Sequence, residues 1–130
     1  MGIRARNMTE FVFVTDVIAL NSTADTAIGP DLDALRVPFD CRVSAKLILD
    51  TATTVSNCAC SIQIAGTTTD VTRVPSFAPS PIGTMIDLSE GTVIVPAGTE
   101  INFNVSDAAT AGTGMLWVVL RRVGAPGEVL

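Results

Sequence analysis

Hydrophobic and polar residues alternate along most of this chain with a period of two, the pattern of β-strands that bury one face. Residues 43–50, 58–65 and 100–106 show this alternation most clearly. Their apolar positions predict the core of the protein. The residues that we expect to be buried are Leu47, Leu49, Ile62, Ile64, Ile101 and Phe103. The positions between them in residues 58–65 are expected to face outwards, and these are Ala59, Ser61, Gln63 and Ala65.

Two segments, residues 11–20 and 115–123, are instead apolar at both odd and even positions. A strand with this pattern is typically covered on both sides, so each segment is predicted to face the core on one side and another sheet or subunit on the other. The candidate subunit interface taken from these segments comprises Phe11, Val12, Phe13, Val14, Leu116, Trp117 and Val118.

Further short strands are predicted where β-branched residues lie between turn signals, at residues 34–39, 67–74, 84–88 and 92–95. No helical period lasts for ten residues. Eight or nine short strands predict an all-β fold of two packed antiparallel sheets, a sandwich that is jelly-roll-like. An immunoglobulin-type sandwich is the alternative. It is disfavoured because Trp117 follows all three cysteines, whereas those domains place a tryptophan between two cysteines.

The predicted organisation is a single domain with short extensions. We expect an N-terminal arm over residues 1–9, the sandwich over residues 10–124 and a C-terminal tail over residues 125–130. The chain contains no run of about 18 apolar residues and begins without the apolar region of a secretion signal, so we expect no contact with a membrane and synthesis in the cytoplasm.

The composition restricts the chemistry that this chain can perform. It has no histidine and no tyrosine, and its only lysine is Lys46, so the side chains best suited to proton transfer are almost absent and we expect no enzyme activity. The net charge of −5 argues against a nucleic-acid partner, which would require a clustered basic face. Only 16% of residues are charged, so some apolar surface is expected to be covered by another chain in an oligomer.

Carboxylates offer the main catalytic or metal-binding candidates. Asp31 with Asp33, or Asp87 with Glu90, could form the facing pair of a glycosidase, and these residues with Asp107 could bind calcium. All lie in loop-like segments, where acidic residues ordinarily solvate turns, and no calcium-loop spacing is present. We therefore expect no metal and no cofactor.

The three cysteines, Cys41, Cys58 and Cys60, are an odd number and cannot all pair. Cys58 and Cys60 are two residues apart in a predicted strand, so both should point to the same face. Without histidine, three cysteines do not assemble an ordinary zinc site. We expect buried, reduced thiols.

Three segments carry a resemblance to a known class of protein. Residues 37–43 (VPFDCRV), 93–101 (VIVPAGTEI) and 114–122 (GMLWVVLRR) resemble the jelly-roll modules of small virion proteins of tailed bacteriophages, among them capsid decoration or cement proteins. The similarity covers about residues 34–123 and is a pattern of strand starts and turns. The same pattern is similar to trimeric jelly rolls of the tumour-necrosis-factor and C1q kind.

The phage resemblance implies a structural role in the virion. It implies a homotrimer on the outside of an icosahedral capsid, near the three-fold or quasi-three-fold positions, that holds neighbouring copies of the major capsid protein together. Arg4 and Arg6 in the N-terminal arm would suit an acidic shell surface, and they are the candidate capsid-docking residues. The alternative is a receptor- or carbohydrate-binding module of a head or tail fibre, although only 5% of residues are aromatic.

Overall fold

The computed structural model describes residues 9–124 of the chain, which fold into two packed β-sheets. The strands of the first sheet are β1 (Glu10–Val14), β2 (Ile18–Ala19), β5 (Cys41–Thr54), β8 (Met85–Leu88) and β10 (Ala111–Arg122). Those of the second are β3 (Asp25–Ala27), β4 (Leu35–Arg36), β6 (Cys58–Ile64), β7 (Ser76–Phe77) and β9 (Glu100–Asp107). The predicted all-β, two-sheet sandwich is confirmed.

The order of the strands is that of a jelly roll. The first sheet runs β1-β10-β5-β8, with β2 also beside β10, and the second runs β3-β9-β6-β7, with β4 also beside β9. All of these pairings are antiparallel. If β1 with β2, and β3 with β4, are each counted as one interrupted strand, sequential strands alternate between the sheets except at β6 and β7, which are neighbours in the second sheet, as in a double Greek key.

Within the described residues, the sole helical element is a three-residue 3-10 turn, Pro30–Leu32. No helix in this part of the chain is long and apolar enough to span a membrane.

The core lies between the two sheets and follows the alternation of the sequence. Five of the six residues expected in it are at most 1% exposed: Leu47, Leu49, Ile62, Ile101 and Phe103. Ile64 is only partly buried because it is the last residue of β6, next to the turn at Gly66. The outward residues of β6 were also expected to be exposed, but Ala59, Ser61 and Gln63 are buried.

The polar groups on this outer side are satisfied by the segment that follows β6. The Ser61 hydroxyl and the Gln63 amide both donate to Oδ1 of Asp70, at 2.7 and 2.9 Å. Asp70 forms an isolated bridge with Gln63, so its segment runs along the edge of β6. The prediction of a strand over residues 67–74 was wrong, because only isolated bridges form there.

The prediction of one strand over residues 11–20 was also wrong. β1 ends at Val14, and Thr15 interrupts the ladder: its N–H donates to the carbonyl of Leu116, at 2.9 Å, and its hydroxyl accepts the N–H of Leu116, at 3.0 Å. The chain resumes in β2 with Ile18 facing the core, while Val17 is 43% exposed. A side chain therefore supplies the hydrogen bond that a continuous strand would have drawn from its backbone.

The remaining strand boundaries differ by short segments. β3 lies in a stretch that the sequence marks as turns, and β7 lies in the proline-containing loop before β8. Residues 92–95 form a single bridge, between Cys41 and Val95, in place of a strand. β5 continues to Thr54, beyond the expected end at Asp50.

Candidate interaction surface

The outward face of the first sheet carries an apolar patch, which we call the outer patch: Val12, Val14, Ile48, Met85, Met115, Trp117 and Val119. Strand register brings these residues together from four strands. Val14 of β1 lies opposite Trp117 of β10, and Val12 lies opposite Val119. Met115 lies opposite Ile48 of β5, which in turn lies opposite Met85 of β8.

Several of these side chains are largely exposed to solvent. The exposed fraction is 47% for Val12, 60% for Val14, 46% for Trp117 and 53% for Met85. Single exposed apolar residues are common on proteins, but adjacent ones across a sheet indicate a surface that binds something. The outer patch is therefore the strongest candidate functional surface among residues 9–124.

A shallow depression of about 210 Å³ lies within the outer patch. Trp117, Met85 and Val119 line it together with the polar residues Ser44, Lys46 and Asp87. Trp117 and Lys46 are cross-strand partners, as are Lys46 and Asp87. The depression thus offers an exposed indole ring beside a pair of opposite charges.

The same face ends in a charged group. Arg121 of β10 lies directly opposite Arg42 of β5, and Glu90 forms an ion pair with each of these two arginines. Glu90 accepts from Arg121 through both carboxylate oxygens, at 2.7 and 3.3 Å, and one of its oxygens lies 3.8 Å from Nε of Arg42. The groups are partly exposed, so each pair contributes at most about 1 kcal/mol. The outward face therefore has an apolar end and a charged end.

The predicted interface residues divide between the two sides of the first sheet. Val12, Val14 and Trp117 lie on the outward face, whereas Leu116 and Val118 are fully buried in the core. Phe11 and Phe13 pack on the core side and are partly buried, with ring centroids 5.6 Å apart. Of the predicted interface residues, only Val12, Val14 and Trp117 are exposed on the outer patch, where they could contact another chain.

Sequence reasoning omitted the part of the patch contributed by β5 and β8. Ile48 lies in the predicted half-buried strand over residues 43–50, in which outward residues are expected to be polar, and Met85 lies in the short strand predicted over residues 84–88. Each is an apolar residue at an outward position, where a polar residue is expected. That departure from the alternation was the feature of the sequence that could have indicated the rest of the patch. Arg4 and Arg6, the predicted capsid-docking residues, lie outside the described residues.

The carboxylates of the two candidate catalytic pairs are either bound by neighbouring side chains or exposed at a turn. Glu90 is engaged by the two arginines, and Asp87 accepts a hydrogen bond from the Ser89 hydroxyl at 3.0 Å. Asp31 lies within the 3-10 turn and Asp33 directly follows it, and both are exposed. In residues 9–124 no three acidic or cysteine side chains are grouped closely enough to hold a metal ion.

The three cysteines are free thiols with no exposed surface. Burial, together with the neighbouring negative charge of Asp40, raises the pKa of the Cys41 thiol to about 11. The hydrogen bond between Cys58 and Cys60 raises the pKa of Cys60, which burial raises further, and the same bond lowers the pKa of Cys58. The structure thus places Cys58 and Cys60 on the core side of β6, as their spacing predicted.

Comparison with known proteins gives one structural neighbour to report. No family model matches the chain, and no curated protein matches it. A chain of a solved structure described as "Cyanophage Pam1 capsid asymmetric unit" is 18% identical, and the alignment covers 95% of this chain and 93% of that one. The TM-score is 0.39. A likeness this weak does not identify a function.

Proposed function

We propose that this protein is a structural virion protein that binds the outside of a phage capsid as a decoration or cement protein, and that it acts by binding and not by catalysis. The observation that supports this proposal is the outer patch, in which Val12, Val14, Trp117 and Met85 are each about half exposed on one rigid sheet. In this proposal, the patch is buried between copies of the chain in a homotrimer that holds neighbouring major capsid proteins together.

Burial of the outer patch would supply the binding energy. Complete burial of a large apolar side chain contributes roughly 1.5–3 kcal/mol, so each half-exposed side chain still has on the order of 1 kcal/mol to contribute. Trp117 has the largest side chain in the patch, and large aromatic residues dominate the energetics of many interfaces. The charged end, with Glu90 bound to Arg121, fits the polar rim of such an interface.

Attachment to the shell would add weak contacts over many copies. A repeated surface turns modest individual affinities into strong overall binding, because once one contact has formed the others become intramolecular. Arg4 and Arg6 would add contacts to an acidic shell surface.

The proposal is tested with undecorated capsids from the phage that encodes the chain. The purified protein is titrated against shells, and bound copies per shell are counted after sedimentation. Saturable binding and a higher melting temperature of the shell are expected. If no binding occurs at any concentration, the capsid role is refuted.

The role of the outer patch is tested with a matched pair of charge substitutions. Trp117→Glu should lower the mass measured by light scattering from about 40 kDa, three copies of the 13.5 kDa chain, and should reduce shell binding at least about tenfold, because a carboxylate is forced into a dry contact. Val74→Glu is the control, since Val74 is 43% exposed but lies outside the patch. If the two substitutions had equal effects on mass and shell binding, the outer patch would not be the binding surface.

The depression beside Trp117 favours one second candidate, a carbohydrate-binding module of a fibre. An exposed indole ring next to Lys46 and Asp87 could stack on a sugar ring while the charged groups bind its hydroxyls. Tight binding to a glycan array that is lost in Trp117→Ala, with no binding to shells, would favour this function.

A further inference from the structure

β1 is an edge strand whose outer side is open among the described residues. It pairs only with β10, and no described residue forms a hydrogen bond with its other side. We propose that this edge binds β1 of a second copy of the chain, antiparallel, about a two-fold axis at Val12. This contact is separate from capsid binding and uses the backbone of β1, whereas the proposed homotrimer uses the outward side chains of the sheet.

The hydrogen bonds at the two ends of β1 show which backbone groups are available. The N–H of Arg122 donates to the carbonyl of Thr9, and the N–H of Thr15 donates to the carbonyl of Leu116. Bonded and non-bonded pairs alternate along an antiparallel ladder, so every second residue between these ends faces away from β10. The N–H and C=O groups that point to the open edge are those of Glu10, Val12 and Val14.

These three residues are complementary to the same three residues in a second copy. With the axis at Val12, the two Val12 residues form one hydrogen-bonded pair, and Glu10 of each copy forms another with Val14 of its neighbour. All six outward N–H groups and all six outward C=O groups of the pair then lie in a continuous ladder. No two carboxylates face each other, so the register carries no like-charge penalty.

The same register also covers the aromatic side chains of β1. Phe11 of one copy lies opposite Phe13 of the other at non-bonded positions, where the side chains of an antiparallel pair approach most closely. Both rings point towards the core but are only partly buried, because the sandwich is open beside its edge strand. A strand added at this edge would extend the sheet over that opening.

β1 also lacks the protection found at the other sheet edges. Natural edge strands are commonly short, charged or interrupted by proline. β7 has two residues and lies between Pro75 and Pro79, while β8 has four residues and includes Asp87. The edge formed by β3 and β4 consists of strands of three and two residues, each with a charged residue. β1 has five residues, its only charge is Glu10 at one end, and it contains no proline. This edge is thus the best suited in the described fold to take another strand.

Cross-linking of engineered cysteines tests the register. In Val12→Cys the two new thiols would lie in a directly opposed pair, about 5.5 Å apart between Cα atoms, within the range of a disulfide. In Val14→Cys the two thiols would be four residues apart along the strand, about 14 Å, which is beyond that range. The native cysteines have no exposed surface, so they should not form disulfides between copies in either variant.

Under a mild oxidant we expect Val12→Cys to give a covalent dimer, with at least about tenfold less from Val14→Cys, since only the first pair is within disulfide range. Equal yields from both variants, or a dimer from Val14→Cys alone, would overturn this register. The measurement needs no capsids, so it stands whether or not the shell-binding experiment succeeds.

A backbone substitution separates edge pairing from packing of the outer patch. Val12→Pro removes an N–H that β10 does not use, and it should weaken pairing at least about tenfold because two central hydrogen bonds are lost. Val12→Thr keeps that N–H and serves as the control. At a concentration where the wild-type protein pairs, the mass of Val12→Pro should be half that of Val12→Thr. An unchanged mass, or a fall to one third, would contradict the proposal, provided that circular dichroism shows both variants folded.

Discussion

At the scale of single residues, the Cys41 thiol is a titratable group that has no exposed surface at the start of β5. Burial and the neighbouring Asp40 raise its pKa from 9.0 to about 11. Between these pH values the unfolded chain has lost the thiol proton and the folded protein has kept it. The unfolded state then binds fewer protons than the folded state. The contribution of the Cys41 thiol to the free energy of unfolding should therefore be fully present below pH 9 and should be lost as the pH rises towards 11.

The measurement for Cys41 is urea unfolding at pH 8 and pH 10.5, with Cys41→Ala as the comparison. The wild-type free energy of unfolding should fall more between these pH values than that of the variant, which retains the other buried thiols and lacks only this one. Parallel losses in the two proteins would show that Cys41 does not contribute to the pH dependence.

Residue burial was predictable where it depends on alternation alone. Leu47, Ile62 and Phe103 face the core because the strand period places them there, and no further information was needed. The same alternation predicts that Ser61 and Gln63 face outwards, into solvent. Their burial depends on Asp70, which approaches only after the chain has turned at Gly66, and a local pattern does not carry that information.

At the scale of elements, threonine hydroxyls replace backbone carbonyls where ladders are interrupted. Thr15 accepts the N–H of Leu116 at the end of β1, and Thr72 accepts the N–H of Ile62 at the edge of β6, at 3.1 Å. Thr15 and Thr72 are 5% and 3% exposed. Removal of either hydroxyl would therefore leave a buried N–H without a partner.

The test substitutes valine, which keeps the shape of threonine and removes the hydroxyl. Thr15→Val and Thr72→Val should each lower the free energy of unfolding by roughly 1–3 kcal/mol, as measured by urea denaturation. Thr69→Val is the control, since its side chain is exposed, and it should change stability by less than about 0.5 kcal/mol. If all three variants unfold alike, the hydroxyl contacts do not stabilise the ladder ends.

These hydroxyl contacts also explain which elements the sequence could predict. Long strands such as β6 and β9 were located within one or two residues because their periodicity is uninterrupted. The end of β1 and the irregular segment after β6 were not located. Threonine on average favours strands, so its presence in the sequence does not reveal where its hydroxyl binds a backbone N–H and interrupts the strand. The hydrogen bond that ends β1 joins Thr15 to a residue 101 positions away, so no local window contains it.

At the scale of the whole molecule, the two-sheet architecture was predictable but the strand order was not. Counting and spacing the strands indicates a sandwich, whereas the order depends on pairings between segments far apart in sequence, such as β1 with β10. The outer patch has the same origin. Val14, Trp117 and Met85 come from three strands, and only the register brings them onto one surface. The apolar pattern of residues 11–20 and 115–123 indicated that such a surface exists without giving its outline.

The last prediction concerns the N-terminal arm, whose first eight residues precede the described fold. Thr9 should be kept, because its carbonyl accepts the N–H of Arg122 next to the start of β1. Deletion of residues 1–8 should leave the melting temperature within about 2 °C of wild type, since the sequence of this arm is too polar to form part of a core. The deletion should weaken binding to undecorated capsids, and Arg4→Glu with Arg6→Glu should weaken it at least as much, because the added carboxylates would repel an acidic shell. Raising the salt concentration should reduce the difference between wild type and the charge variant, since salt screens exposed charges. Equal shell binding by all three proteins at low salt would exclude the arm as a docking element.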